Sequence, residues 1–544
     1  VSILALKAVV VAIIRRLAFP PNYIVARSRD AFIILGLVAV LMIAFFSLHG
    51  SEIARGGEEA AKYMPISSFV AAAFLSGASA ESLALSTNVF WWVHASILLS
   101  FLNYLPYSKH MHILTAIPNC FFKSMEKVTT QPREEFKKGN AFGVGQSDQF
   151  HWKDLFDSYS CTECGRCQDV CPAAFSGKPL VPRLVIHDIK VNLLTNGRVM
   201  VKNEKPVLPL IGGGQEGSVS EDAIWAYTTC GACMEVCPAF IEHVPKLVGM
   251  RRNLVEMKAK FPEELLPFFE NMEQRSNPWG IAPGDRTKWA AEIDAKPFEA
   301  GKTEYLFYVG CAGAFDARAK RVSLAVARIL DAAGISWGIL GKDEICCGDS
   351  LRRLGNEFLF DRMAKENIKM FEERGVKKII TQCPHCYSTL KNDYRQYGAE
   401  LKVIHHTELI SNLIKEGKLK LNGAKDLGNV VFHDSCYLGR YNSIYEAPRK
   451  AVASVTGQAP TEMEHHHDRS FCCGAGGGRM WMEESIGKRI NVVRVEEALK
   501  EDPRTICVCC PYCMTMFEDG LKDKNADDIV QVLDLAEIVA GALT

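Results

Sequence analysis

The sequence lacks an excess of either charge. Lysine and arginine together number 63 and are matched by 63 aspartates and glutamates in a chain of 544 residues. A balanced chain exerts no overall attraction on a polyanion, so nucleic-acid binding is not expected. A phosphate-binding loop is also missing, because the glycine-rich stretch 212–217 precedes a polar turn instead of joining a strand to a helix.

The sequence also lacks an initiating methionine and a secretory leader. Val1 opens the chain within an apolar run, without the charged leader and small-residue cleavage pattern of a signal peptide. We therefore expect the sequence to begin inside a longer protein, with further membrane helices upstream of it. On this interpretation, residues 1–125 are an N-terminally incomplete membrane domain.

Two long apolar runs are typical of membrane-spanning helices. Residues 31–48 carry no charge over about eighteen positions, and residues 88–107 have aromatic side chains at both ends. The basic residues that flank the pair of runs are Arg15, Arg16, Arg27, Arg29, Lys109, Lys123 and Lys127. The positive-inside rule places both flanks in the cytoplasm, so the shorter segment 66–80 is predicted to be interfacial or re-entrant.

Two histidines in and after the second run have the spacing of a double haem site. His94 and His112 are eighteen residues apart, or five turns of one helix, which puts them on one face at about 27 Å separation. Two b-type haems stacked across a bilayer each need one histidine at such positions. His49, at the end of the first run, is a candidate partner for the haem near His94. The alternative is that these are interfacial histidines without a metal.

The segment resembles the haem-b membrane subunit of respiratory nitrate reductase. The resemblance rests on His94 and His112 at this spacing and covers roughly a hundred residues. It implies that the membrane domain is all-α and binds haem b, with two haems expected.

Cysteine is abundant, with twenty in the chain, and most of them lie in short cluster motifs. The first run is the complete bacterial ferredoxin pattern, with its ligands at Cys161, Cys164, Cys167 and Cys171. The second run has Tyr227 where its first cysteine is expected and continues with Cys230, Cys233 and Cys237. In two-cluster ferredoxins the fourth cysteine of each run ligates the cluster of the other run. This rule predicts a [4Fe–4S] cubane on a four-cysteine site, formed by Cys161, Cys164, Cys167 and Cys237. It leaves a three-thiolate site, formed by Cys171, Cys230 and Cys233.

The three-thiolate site leaves two alternatives for its cluster. It holds either a [3Fe–4S] cluster or a [4Fe–4S] cubane whose odd iron takes a ligand other than cysteine. We favour the three-iron cluster, because an iron without a strong ligand is easily lost. Direct ligation by Tyr227 is a further alternative, although a tyrosine oxygen is a hard donor. Zinc is a poor fit, since zinc sites do not require four cysteines at this spacing.

A five-cysteine pattern occurs twice in the remaining sequence. The first copy comprises Cys311, Cys346, Cys347, Cys383 and Cys386. The second copy, 125 to 127 residues later, comprises Cys436, Cys472, Cys473, Cys510 and Cys513. A repeat in such close register indicates a duplicated structural unit. Five soft thiolates exceed the needs of one tetrahedral metal, so a multi-iron cluster is predicted, with disulfides or zinc as the alternatives.

The duplicated segments resemble the cysteine-cysteine-glycine domains of the heterodisulfide reductase catalytic subunit. The resemblance includes the stretch from His433 through Cys436 to Arg440 and the stretch from Cys472 to Arg479. It implies an unusual non-cubane [4Fe–4S] cluster in each complete motif, so up to two such clusters are expected. Apolar strands that run into the cysteines and alternate with helical patterns predict a pair of small α/β units. The histidines at 465–467 are interpreted as polar residues beside the second cluster.

The predicted fold is multidomain. It combines an all-α membrane haem domain, an α-helical two-cluster ferredoxin-like domain and a duplicated α/β cysteine-cysteine-glycine module. The expected boundaries are 1–125 for the haem-b domain, 126–150 for a linker, 151–260 for the ferredoxin-like domain and 261–300 for a second linker. Residues 301–420 and 421–544 then form the first and second modules.

The order of these parts resembles membrane-bound iron–sulfur oxidoreductases that link electron-transfer flavoprotein to menaquinone. The resemblance implies a multi-pass protein of the cytoplasmic membrane, with its iron–sulfur domains facing the cytoplasm. The partners that it implies are electron-transfer flavoprotein or another soluble donor, quinone, membrane lipid and subunits of a respiratory complex. One alternative is a quinol-linked heterodisulfide or thiol–disulfide reductase, and another is a non-catalytic electron-relay subunit of a larger respiratory complex. Catalytic residues and the quinone site stay unassigned.

Overall fold

The computed structural model describes residues 2–20, 28–59, 61–125, 130–137, 141–291, 293–423 and 427–544. The chain divides into two compact units. Unit 1 comprises Val1–Pro118 and Tyr159–Gly165, and unit 2 comprises Asn119–Ser158 and Arg166–Thr544.

Helices form the first part of the chain. They are α1 (Ser2–Ala18), α2 (Arg29–Ala54), α3 (Pro65–Phe74), α4 (Ala80–Tyr104) and α5 (His112–Phe121). Among the described helices, α2 and the stretch Ala80–Tyr107 are long and apolar enough to cross a membrane, judged by length and composition. Both contain the runs predicted to span. Two of the basic residues used for the topology, Arg27 and Lys127, lie outside the described residues.

Helix α3 is only ten residues long. At 1.5 Å per residue it extends about 15 Å, half of a hydrocarbon core that is about 30 Å thick. It therefore cannot cross a bilayer alone, as expected for the segment 66–80.

The continuous helix predicted from His94 to His112 is wrong. Helix α4 ends at Tyr104, two 3₁₀ turns follow at Leu105–Tyr107 and Lys109–Met111, and α5 begins at His112. Pro106 lies in the first of these turns, and a proline ring clashes with the carbonyl four residues earlier in a continuing helix. The two histidines therefore belong to different helices, so the prediction that they share one face of one continuous helix does not hold.

Short helices build the ferredoxin-like part. They are α6 (Trp152–Ser160), α7 (Arg166–Asp169), α8 (Pro172–Phe175), α9 (Pro182–Val201), α10 (Glu221–Trp225), α11 (Ala232–Glu235), α12 (His243–Arg252) and α13 (Leu265–Arg275). Pro172 starts α8 directly after Cys171, where its fixed φ suits a first helical turn. Gly231 precedes α11 with a φ of 76°, so the chain turns between Cys230 and Cys233. The local sequence thus sets the turn of the chain after Cys171 and after Cys230.

Two parallel sheets of four strands carry the twin modules. The first has the order β2-β1-β3-β4, from strands β1 (Tyr305–Tyr308), β2 (Trp337–Gly338), β3 (Lys378–Thr381) and β4 (Lys402–His405). The second has the equivalent order β6-β5-β7-β8, from β5 (Val430–Phe432), β6 (Thr461–Glu462), β7 (Thr505–Val508) and β8 (Gln531–Asp534). Leu306 pairs with Ile379 in the first sheet, and Val431 pairs with Ile506 in the second. The matching order and register confirm the predicted duplication.

Helices connect the strands of both sheets. In the first module they are α14 (Gly310–Phe315), α15 (Ala317–Ala332), α16 (Asp349–Leu354), α17 (Glu357–Glu373), α18 (Pro384–Ser388) and α19 (His406–Lys415). In the second they are α20 (Gly439–Asn442), α21 (Glu446–Thr456), α22 (Ile490–Leu499), α23 (Pro511–Asp523) and α24 (Leu535–Gly541). One hydrophobic core contains Phe307 and Ile380 of the first sheet together with Phe432 and Ile506 of the second. The two modules therefore pack as one body.

Arg318 joins the modules at their edge. Its guanidinium donates to Glu518 at 2.8 Å, to both oxygens of Glu537 at 2.7 Å and to the carbonyl of Val532 at 2.7 Å. The side chain is 18% exposed, so these hydrogen bonds are partly shielded from water.

We expect Arg318→Ala to lower the apparent melting temperature of the protein. The substitution leaves two carboxylates at the junction without their cation, which costs about 1–3 kcal/mol. Thermal unfolding followed by circular dichroism measures the change, and Arg321→Ala, which removes an exposed arginine on the same helix, is the matched control. Equal melting temperatures for the two variants would contradict a stabilising role for Arg318.

Candidate iron–sulfur centres

The five cysteines of the first module converge because the strands that precede them are parallel. Cys311 follows β1 and Cys383 follows β3, and the carboxyl ends of adjacent parallel strands lie at the same edge of a sheet. The thiol of Cys346 lies within hydrogen-bond reach of Cys311 and Cys347, and the sulfurs of Cys347 and Cys386 are 3.5 Å apart. Cys383 is in turn within reach of Cys386.

The second module repeats this arrangement. Cys436 follows β5 and Cys510 follows β7. Cys472 lies within hydrogen-bond reach of Cys436 and Cys473, and Cys513 lies within reach of Cys473 and Cys510. The structure thus brings together each set of five cysteines that the repeat singled out.

A glycine in the left-handed region follows each adjacent cysteine pair. Gly348 has a φ of 84° and Gly474 a φ of 102°, values that side chains disfavour. The backbone N–H of Gly348 points at Cys346 Sγ at 3.5 Å, and that of Gly474 points at Cys472 Sγ at 3.3 Å. Each turn therefore directs a backbone donor at a sulfur ligand, as the electron-rich sulfurs of a cluster require.

Burial and charge fit metal-bound thiolates. Burial raises the pKa of the Cys311 thiol well above its ordinary value, so holding a thiolate there requires positive charge. Bound iron would supply that charge, and the buried guanidinium of Arg286 adds to it by donating to Cys311 Sγ at 3.3 Å. In the second module, the half-buried Arg440 lies within the field of Cys230, Cys436 and Cys472. These donor sets fit iron–sulfur clusters.

The three-thiolate site is assembled in unit 2. Cys171, Cys230 and Cys233 are all buried, and the Tyr227 hydroxyl lies 3.6 Å from Cys233 Sγ. Burial, followed by the charge of the nearby thiols, raises the pKa of Tyr227 well above its ordinary value. The side chain at the position of the expected cysteine is therefore a neutral phenol, which favours a hydrogen-bond donor over a phenolate ligand.

The four cysteines of the other predicted site are divided between the two units. Cys161, half-buried, and Cys164, exposed, belong to unit 1, whereas Cys167 and Cys237 belong to unit 2. Within unit 2, the N–H of Ile241 donates to Cys237 Sγ at 3.4 Å. The joint ligation of one cubane by these four residues stays a prediction.

The three groups of cysteines in unit 2 adjoin one another, which the sequence analysis did not predict. Cys230 of the three-thiolate site lies within hydrogen-bond reach of Cys472 of the second module. Cys510 of the second module lies within reach of Cys383 of the first. The second module therefore stands between the first module and the three-thiolate site.

Glycines after the second cysteine pair permit the first of these contacts. A Cβ at Gly476 would lie 2.4 Å from the carbonyl oxygen of Thr228, and one at Gly477 would lie 2.6 Å from that of Tyr227. The buried Arg251 then joins the two loops by donating to the carbonyls of Tyr227 and Gly477 at 2.7 and 2.8 Å. The glycine run at 476–478 was the sequence signal for this close approach.

Stacked rings lie beside the junction of the modules. His385, between Cys383 and Cys386, lies within hydrogen-bond reach of Cys510, and its ring centroid is 4.9 Å from that of Tyr512. The His385 ring stacks on Tyr437 at 3.9 Å, and Tyr437 stacks on Tyr441 at 4.0 Å. The Tyr437 hydroxyl lies 2.9 Å from Thr229 Oγ1, next to Cys230. The buried rings of His385, Tyr437 and Tyr441 help to exclude water from the cysteines beside them.

The predicted haem histidines lie at separate places in the first part of the chain. His49 on α2 and His94 on α4 both contact Phe45, with ring centroids 4.6 and 6.3 Å from that of the phenylalanine. His112 Nδ1 lies instead 3.0 Å from the carbonyl oxygen of Lys109.

Two features of these histidines fit a haem ligand. The Nδ1 atom of His94 is buried without a hydrogen-bond partner among the described residues. His49 Nδ1 contacts Glu58 at 3.0 Å and Glu52 at 3.1 Å, which leaves Nε2 for a metal, and carboxylates commonly orient metal-binding histidines in this way. Haem ligation by His49, His94 and His112 stays a prediction.

We expect Tyr227→Cys to convert the three-iron signal of the protein into a four-iron one in electron paramagnetic resonance. The new thiol completes the ferredoxin pattern and gives the fourth iron its ligand, so iron content rises by about one atom per chain. Tyr227→Phe, which removes only the hydroxyl, is the control and retains the three-iron signal. An unchanged spectrum in Tyr227→Cys would contradict the assignment of Cys171, Cys230 and Cys233 as the ligands.

Comparisons with known proteins agree with this arrangement of cysteines. The cysteine-rich CCG domain family matches residues 305–391 and 430–518, and the 4Fe-4S dicluster domain family matches residues 160–241. The chain is 38% identical to the EtfAB:quinone oxidoreductase of Syntrophomonas wolfei, over 95% of this chain and 78% of that protein.

Two further relatives each match nearly three quarters of the chain. A probable membrane-anchored ferredoxin of Chromohalobacter salexigens is 35% identical over 74% of this chain and 62% of that protein. One subunit of the dihydromethanophenazine:CoB–CoM heterodisulfide reductase of Methanosarcina barkeri is 31% identical over 72% of this chain and 95% of that protein. One conclusion follows from the twin cysteine-rich modules, the dicluster domain and the extent of the first match. The chain belongs to the family of iron–sulfur oxidoreductases that includes the EtfAB:quinone oxidoreductase of Syntrophomonas wolfei.

Proposed function

We propose that this protein passes electrons between a soluble donor, electron-transfer flavoprotein, and the menaquinone pool. The observation that carries the proposal is the unbroken line of cysteine groups in unit 2. It begins at Cys311 in the first module, passes Cys383 and Cys510 at the junction, and reaches Cys230 beside Cys472. Iron–sulfur clusters, when bound, store and release single electrons. The name of the relative from Syntrophomonas wolfei supports a flavoprotein and a quinone as the two partners.

The chain's own residues suit such a relay. They place neighbouring ligand groups in contact, they surround the groups with apolar and aromatic side chains, and they set the cations Arg286 and Arg440 beside the thiols. A low-dielectric surrounding strengthens the effect of these fixed charges on a cluster.

The burial of the cysteines in the twin modules favours an electron relay over a reaction with a disulfide substrate. Nine of the ten cysteines in the twin modules are buried, and Cys346 alone of the ten is half-buried. A disulfide substrate would have to reach a sulfur or an iron, whereas an electron can enter through a few ångströms of protein. We infer that the donor approaches the first module near Cys346.

A second candidate function is a quinol-linked disulfide reductase. It is favoured by the match to a heterodisulfide reductase subunit over nearly its whole length and by the completeness of both five-cysteine motifs. An electron-relay subunit of a larger complex is compatible with the same geometry.

The proposal also includes the membrane part. We place the protein in the cytoplasmic membrane, with haem b bound at His94, His112 and His49 as the step between the four-cysteine site and menaquinone. Two apolar helices of membrane-spanning length and the match to a probable membrane-anchored ferredoxin support this placement. The domain limits 1–125, 151–260, 301–420 and 421–544 are part of the proposal.

We expect reduced electron-transfer flavoprotein to reduce the haem of the purified full-length protein, and a menaquinone analogue to reoxidise it. The order of centres permits this flow, and the haem absorbance band measures it. If the haem stays oxidised with the flavoprotein, but quinol reduces it and a small disulfide reoxidises it, the protein is a disulfide reductase.

We also expect His94→Ala and His112→Ala each to remove haem, because an iron that loses an axial imidazole is held weakly. Haem content per chain, measured by the pyridine haemochrome absorbance, reports the loss. His110→Ala, two residues from His112, is the matched control. Full haem content in either of the first two variants would rule out that histidine as a ligand.

A further inference from the structure

His433 is a buried histidine beside two cysteines of the second module. Ligand atoms of His433, Cys473 and Cys513 all lie within 4.8 Å of one another. The side chain is 1% exposed, and its Nε2 atom has no hydrogen-bond partner among the residues that the structure describes. A buried polar nitrogen normally has a partner, and two sulfur ligands lie near this ring.

The hydrogen bond at Nδ1, the other ring nitrogen of His433, determines which of the two nitrogens carries the proton. The Nε–H group of Arg494 lies 3.2 Å from His433 Nδ1. A guanidinium has donors and no acceptor, so Nδ1 must accept this hydrogen bond with its lone pair. A neutral imidazole with an accepting Nδ1 carries its hydrogen on Nε2. The Nε2 atom then has no lone pair with which to bind a metal.

We propose that His433 donates a hydrogen bond from Nε2 to the sulfur of the second-module centre and does not ligate its iron. The inference rests on the proposed cluster at Cys436, Cys472, Cys473, Cys510 and Cys513. A donor to sulfur stabilises the more negative, reduced state of a cluster, so His433 raises the reduction potential of this centre.

The repeat shows that this donor distinguishes the two modules. His433 lies three residues before Cys436, and the residue three before Cys311 is Tyr308. The Tyr308 hydroxyl donates to the backbone carbonyl of Ile345 at 2.5 Å. The equivalent positions therefore have different uses, a backbone hydrogen bond in the first module and a sulfur-directed donor in the second.

Arg494 is itself held in place. Its Nη1 atom donates to Glu497 Oε2 at 2.7 Å, and Glu497 Oε1 accepts from the backbone N–H of His465 at 2.7 Å. The ring of His465 lies 3.0 Å from the same oxygen. The run of histidines predicted to lie beside the second cluster thus connects to it through Glu497, Arg494 and His433, which fixes the tautomer of the inner histidine.

The test is a redox titration of the full-length protein, followed by electron paramagnetic resonance. The signal of the second module is assigned by its loss in Cys473→Ser. We expect His433→Phe to keep the iron content of the protein and to lower the ratio of reduced to oxidised centre about tenfold at a fixed potential, equivalent to about 59 mV for one electron. Tyr308→Phe, at the equivalent position of the first module, is the control and leaves this potential unchanged.

A second measurement uses the unaltered protein. Electron–nuclear double resonance, on protein labelled with ¹⁵N-histidine and compared in H₂O and D₂O, is expected to show an exchangeable proton at the second-module centre without a directly bonded nitrogen. A strong nitrogen coupling would show a ligand and overturn the inference, as would an unchanged potential in His433→Phe with full iron content. If the unaltered protein holds no iron at the second module, the proposed function fails instead.

Discussion

Parallel pairing of β1 with β3, and of β5 with β7, is the constraint on which the site depends. Parallel strands end at a common edge, so cysteines that are more than seventy residues apart arrive there together. The turns after these strands begin helices at Pro384 and Pro511, which hold the two cysteines of each Cys-Pro-x-Cys segment in place. An antiparallel arrangement would place those ligands at opposite ends of the sheet.

Close packing of the ferredoxin-like part and the two modules then brings the separate groups of cysteines next to one another. The first contact is made by the glycine loop at 476–478 against Tyr227 and Thr228, where a side chain would clash with backbone oxygens. Arg251, fully buried, joins the same loops through carbonyl groups. The second contact, at Cys383 and Cys510, follows from the core that the two sheets share. Electron transfer falls off steeply with distance, so these contacts matter as much as the ligands themselves.

Duplication produced two similar modules whose surroundings have diverged. The sheets share their order and register, but the residue three positions before the first cysteine differs, and so do the positions of the cations Arg286 and Arg440. Hydrogen bonds and charges around a cluster set its potential. Two centres with the same ligands can therefore take different places in one relay.

The ligands, the duplication and the α/β class of the modules could be predicted from the sequence, because cysteine spacing and strand patterns are local and their chemistry is specific. The same local signals predicted two apolar helices of membrane-spanning length, but spacing alone overextended the second one past Pro106, where a proline ended it. Tertiary structure alone decided which groups adjoin, where Tyr227 points and that the ring of His433 lies beside Cys473 and Cys513. Such contacts join residues that are distant in the chain, and they depend on how whole elements pack, which no short stretch of sequence encodes.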